Sequence, residues 1–179
     1  MPMDRSDPLL DQLIRQTRAH HVQLSMMADI KANILLTVAA LNATFAAGYL
    51  DNDRFFWPAV TLIAFCVPTI LFAIYAVMPK TSLHLRRRGH HDLRSPSFNL
   101  LFFGDFADME YEAYLAALRE VLVSPESAYE VMIREIFILG QFLMRKKYRY
   151  LRIAYIFFMA GISCSGVCLA YEIFAAAQL

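Results

Sequence analysis

Charge is scarce in this 179-residue sequence: only 18% of its residues are Asp, Glu, Lys or Arg, and they nearly cancel to +1. So small a net charge exerts no global pull toward polyanions. Cysteine is scarce as well. Cys66, Cys164 and Cys168 all lie in apolar runs, at spacings that suit neither a disulfide framework nor a metal site. The glycines form no phosphate loop and no collagen period, and no nucleophile elbow is present. Carboxylates such as Glu110 and Glu112 fall on a face expected to be solvated. The chain is therefore not expected to be an enzyme or to carry a metal or cofactor.

Apolar residues are abundant instead, at 58%, or about 56% on the usual count with Gly in place of Tyr, against roughly 45–50% for soluble domains. That content excludes a disordered chain. Three stretches hold most of the excess. They are 34–50, broken by Thr37, Asn42, Thr44 and Gly48; 55–78, 24 residues without a charge; and 153–177, whose one charge is Glu172. A helix crossing ~30 Å of hydrocarbon needs about 20 apolar residues. The second and third stretches meet this, and the first does once Ile30 and Ala32 are included. A buried hairpin in a soluble bundle is the rival reading, but a long uncharged run suits such a core poorly.

Some 30 residues, including Asp4, Asp7 and Asp11, precede the first run, so it does not read as a cleavable signal. Lys and Arg set the orientation. Only Arg54 lies in the loop 51–54 and none follows Arg152, so sixteen of seventeen basic residues share one side. That side is expected to be cytoplasmic, with Phe55, Phe56 and Trp57 as an outer aromatic belt. The expected layout is a cytoplasmic N-terminal stalk helix at 1–33, spans at 34–50 and 55–78, cytoplasmic loop and helices at 79–149, and a third span at 150–179 ending outside.

Helix punctuation makes the cytoplasmic part readable. Ser6 or Asp7 can cap a helix with Pro8 in its first turn, and neither Gly nor Pro recurs before Gly48. Ser124-Pro125-Glu126 repeats that grammar. Each stalk has about 25 residues, or ~38 Å, before its span. Leu10, Leu13, Thr17, His20, Leu24 and Met27 alternate by three and four, as do Tyr129, Met132, Ile136, Leu139 and Leu143, which predicts a coiled-coil-like seam. A further helix over 108–123 offers Tyr111, Tyr114, Leu115, Leu118 and Leu122. The fold class is thus an all-α membrane protein, with three transmembrane helices and a cytoplasmic bundle of long helices continuous with them.

Charge is layered along the stalks. Segment 80–94 has five basic residues against Asp92, and 145–152 has five against none, whereas 105–135 has eight acidic residues against Arg119 and Arg134. Anionic headgroups explain much of the basic layer, and the acidic crown argues against nucleic acid. Asp29 and Asn33, four apart, share a helix face; lipid contact would be costly, so both are expected to face the bundle, near Arg145, Lys146 or Lys147. An Asp29–Lys147 contact is one hypothesis. Lys31 reads as an interfacial snorkeller. The Asn99–Asp105 stretch, with Leu100, Leu101, Phe102, Phe103 and Gly104 inside it, serves equally as a buried connector or as a ligand pocket. The His20-His21 and His90-His91 pairs are adjacent and point apart on a helix, which disfavours zinc; His20 is expected in the seam. Arg86-Arg87-Arg88-Gly89 is a lone basic cluster. Gly161, Ser165 and the Ala160, Cys164, Cys168 row give the third span a small-residue face suited to helix packing.

Ala28-Asp29-x-Lys31-Ala32, Pro79 ending the second span, Leu101-Phe102-Phe103-Gly104 and Arg145-Lys146-Lys147-Tyr148-Arg149 occur in that order across most of the chain. Together they resemble the Pycsar transmembrane effectors, small bacterial proteins encoded beside a pyrimidine nucleotide cyclase in antiphage defence. The resemblance implies an effector that senses cyclic UMP or cyclic CMP and impairs the inner membrane, producing abortive infection. Its partners would be the lipid bilayer, the cyclic mononucleotide, further copies of itself and, functionally, the cyclase. A singly charged ligand is expected in the basic membrane-proximal layer. Its expected contacts are Asp29, Lys31, Asn33, Asn99, Phe102, Phe103, Gly104, Arg145 and Lys147. The alternative is a small helical membrane scaffold or channel-like subunit with no nucleotide ligand.

Overall fold

The computed structural model describes residues 8–78 and 98–177. Ser6, Asp7, Pro79, the Arg86–Gly89 cluster and the His90-His91 pair lie outside the described residues. Among the described residues 85% are helical and none is in a strand. Helix α1 runs Pro8–Ala47, α2 Phe56–Val77, α3 Phe103–Phe106, α4 Tyr111–Val121, α5 Pro125–Phe142 and α6 Arg149–Ala176, with a π-helical segment, Leu143–Tyr148, between α5 and α6. Of the described residues, 8–24 together with 98–143 form one compact unit, and 25–78 with 144–177 form the other.

The unit that begins at Ser25 contains the apolar helices, and its packing is inverted relative to a soluble core. Small side chains are inside: Ala28, Ala32 and Ala76 close around Leu151, and Ala73 and Ala154 around Leu35. Large ones face outward, among them Phe45, Trp57, Leu71, Met159, Val167 and Phe174, each more than 60% exposed. Small residues let helix backbones approach closely where lipid removes the hydrophobic drive for association, and so large an apolar exterior needs an apolar solvent. Helices α2 and α6 form the most extensive pair. At its centre Gly161 lies so close to Phe65 that an added Cβ would stand 2.6 Å from the Phe65 Cβ. Ser165 Oγ donates to the Pro58 carbonyl at 2.9 Å. The expected small-residue face of the last span is therefore turned to α2 at Gly161 and Ser165, whereas Cys164 is exposed.

The other unit contains the start of α1 with α3, α4 and α5. Ser124 caps α5, its Oγ accepting from the Ser127 N–H at 3.1 Å with Pro125 in the first turn. The α5 row Tyr129, Met132, Ile136, Leu139 and Leu143 is wholly or partly buried, as expected. The α1 seam differs from expectation. Leu13 and His20 are exposed, and the inward row is Leu10, Ile14, Thr17, His21 and Leu24. Both rows alternate by three and four, so spacing alone does not separate them. The structure selects His21 because Gly140 leaves room for its ring; a Cβ there would meet the His21 Cε1 at 3.3 Å. Tyr111 of α4 and Leu122 at its C-cap are exposed rather than packed, and Ala117 is the buried position of the helix.

Candidate functional site

The strongest polar constellation within the membrane-helix unit is built on the π-helical segment Leu143–Tyr148. A π turn admits one extra residue and re-aims the side chains around it, often at functional positions. Two consecutive lysines here reach two different helices. Lys146 Nζ donates to the Met78 carbonyl at 3.2 Å and lies 5.4 Å from the Tyr75 ring centroid, which caps the C-terminal end of α2 with a cation. Lys147 Nζ turns to α1, donating to Ser25 Oγ at 2.8 Å and to Asp29 Oδ1 and Oδ2 at 2.6 and 2.7 Å. An ammonium has three donors, and all three are engaged. The Lys147 side chain is 11% exposed and that of Asp29 40%. The hypothesised Asp29–Lys147 contact is present, with Ser25 as a third member that the sequence reading missed. Ser25 precedes Asp29 by one helical turn, a spacing that puts both on one face.

The other residues expected in this unit are not gathered with them. Lys31, Asn33 and Arg145 are exposed. Asn33 does not face the bundle as expected. The buried α1 row is Ala28, Ala32, Leu35 and Ala39, and at 100° per residue Asn33 sits about 130° around the helix from it. Its face is occupied by Thr37, whose Oγ1 donates to the Asn33 carbonyl at 3.0 Å.

Asn99, Phe102, Phe103 and Gly104 belong to the other unit. Asn99 is buried and organises a turn: its Oδ1 accepts from the Leu101 N–H at 3.0 Å, and its own N–H donates to Asp105 Oδ2 at 3.0 Å. This Asx turn closes the connector on itself. Gly104 does not offer open backbone, because the Phe102 ring fills the space where a Cβ would stand, at 2.5 Å. Phe102 packs on Phe103, with ring centroids 4.9 Å apart, while Phe103 stays exposed. Beside the Asn99 turn a cleft of about 410 Å³ opens between α4 and α5, lined by Phe98, Asn99, Glu120, Ser127, Glu130 and Arg134 among others. Of these only Asn99 was among the expected site residues. The Glu130–Arg134 pair, 2.9 Å apart at i, i+4, was the available signal.

One buried carboxylate lies deeper in that unit. Glu135 is 11% exposed at its side chain and meets Arg18 of α1 at 3.0 Å. Burial pushes its pKa up, and the Arg18 guanidinium, itself half-exposed, pulls it only partly back. A raised carboxylate pKa favours the fold below the ordinary carboxylate range, and that contribution is lost as pH rises through the raised value. Glu135→Gln should therefore gain stability relative to the parent on going from pH 4 to pH 7, as read by thermal melts at both. A difference that stays constant with pH would overturn this assignment.

Among the described residues, three helices long and apolar enough to cross a membrane, packed by small residues and clad in large ones, define a multi-pass membrane protein. The family model for the Pycsar effector protein domain matches residues 12–174. The chain belongs to this family of antiphage effectors linked to cyclic-nucleotide signalling. No curated protein and no solved structure matches it.

Proposed function

We propose that this protein senses a cyclic pyrimidine mononucleotide, cyclic UMP or cyclic CMP, and responds by impairing the integrity of the bacterial inner membrane, so that infection aborts. The observation that carries the reading is the family match, which covers 12–174 and so takes in most of both compact units. The protein acts by binding, without catalysis and without a metal or cofactor, downstream of a pyrimidine nucleotide cyclase. Its N-terminus and the unit containing Asn99 are cytoplasmic, in keeping with the placement of basic residues. Exposed Lys31 and Arg145 meet anionic headgroups in this reading. Leu9, Leu13 and Phe137, each at least 59% exposed, support association into a homo-oligomer.

A ligand shifts such a protein between resting and active states only by its differential affinity for the two. Holding a resting state at 99% takes about 2.7 kcal/mol, half of a full population swing, which one charge-assisted set of contacts can supply. The test is dye release from liposomes carrying the full chain. Release is expected with cyclic UMP or cyclic CMP and absent with the cyclic purine nucleotides. Equal release with all of them, or with none, would overturn the proposal and favour a scaffold.

A further inference from the structure

We propose that the cleft beside the Asn99 turn is the nucleotide site, and that its mixed charge selects a cyclic phosphodiester over linear nucleotides. This rests on the reading of the protein as a cyclic-mononucleotide sensor and assigns a site within it. At about 410 Å³ the cleft is within the range of small-ligand pockets, roughly 300–1,000 Å³, and a cyclic mononucleotide has roughly 20 non-hydrogen atoms. Every described residue that lines it lies in one compact unit.

The lining divides by chemistry. Arg134 is the cation among its described residues. One Nη2–H donates to Glu130 Oε1 at 2.9 Å, which orients the guanidinium and leaves other members of its five-donor fork for a phosphate. Two carboxylates, Glu120 and Glu130, accompany it, so the formal charge of the described lining residues is −1. Such a set repels a polyanion. A linear monophosphate has about −1.5 to −2 charges, and a triphosphate more. A cyclic phosphodiester has a single charge, so it is repelled least, and the Arg134 N–H groups that do not meet Glu130 can donate to it. The ribose hydroxyl, or the exocyclic amine of cytosine, then gives a carboxylate a donor in place of a like charge. Apolar contact for the base comes from Phe98, which also lines the cleft. Cytosol is rich in linear nucleotides, and a site that excluded them by charge would stay empty until a cyclase fires.

The full chain in detergent micelles, titrated with labelled cyclic UMP and cyclic CMP and competed with linear UMP, tests this. Arg134→Ala is expected to weaken binding of the cyclic ligand about ten- to hundredfold, the worth of a charge-assisted contact. Glu120→Gln, at an exposed helix position where folding is not at stake, is expected to narrow the preference for cyclic over linear UMP about tenfold. If the parent binds the cyclic nucleotide and both variants keep its affinity and its preference, the site is elsewhere and the inference falls while the functional proposal stands. If the parent binds neither cyclic UMP nor cyclic CMP, the functional proposal itself falls, and this inference with it.

Discussion

Asp29→Ala is expected to cost about 2–4 kcal/mol of stability, and Lys147→Met less than about 1 kcal/mol, although the two residues are partners in one ion pair. The asymmetry follows from their surroundings. Lys147 is the buried member, at 11% side-chain exposure, and Asp29 is 40% exposed. Removing Asp29 leaves an ammonium inside with Ser25 as its one remaining acceptor, and an uncompensated buried charge typically costs ~3–5 kcal/mol. The value expected here is lower because the site is not sealed. Removing Lys147 instead frees a carboxylate that already reaches water, and an unbranched apolar side chain replaces the buried stem. The midpoint of unfolding by denaturing detergent in mixed micelles, followed by helical circular dichroism, gives the order directly. The reverse order would show that the tether is not built as described. Because every Lys147 donor is occupied, Lys147→Met should also leave cyclic-nucleotide affinity unchanged.

Two glycines of α6 make the second contrast. Gly161→Val is expected to destabilise the α2–α6 pair by about 1–3 kcal/mol or more, the range for overpacking a tight contact. Its first added carbon would stand 2.6 Å from the Phe65 Cβ and 3.9 Å from the Phe65 Cα, and neither can swing away without moving α2. Gly166→Ala, five residues on, meets nothing within 4 Å. It should be neutral or slightly stabilising, since Ala is the better helix former by up to about 1 kcal/mol. The same detergent titration distinguishes them. Equal effects would mean that α2 and α6 do not meet at Gly161.

Much of this architecture was legible because membranes and helix ends leave strong marks. Residues 55–78 contain no charge, and α2 occupies Phe56–Val77. Ser124-Pro125 announced the start of α5, which the Ser124 cap confirms. Asp29 could be matched to Lys147 because a carboxylate about to enter lipid needs a cation at its own depth. Asn33 could not be placed the same way. Sharing a face with Asp29 does not fix which side of that face is buried, and a further 40° of rotation carries it out of contact. The seam around Leu13 and His20 failed because a three-four alternation fits two neighbouring rows equally, and Gly140 across the interface chose His21.

By itself the sequence determined the solvent of each segment and the helices that result, because transfer of apolar side chains and the capping of orphan backbone groups are local matters. It also carried the family likeness, since that is a matter of residues in order. Only the tertiary structure decided which lysine turns to which helix, that a π-helical turn aims Lys147 at Ser25 and Asp29, and that Arg134, Glu120 and Asn99 line one cleft. Those outcomes depend on residues as much as 122 positions apart, and contacts over such separations are set by how whole helices pack, a property that no local pattern encodes.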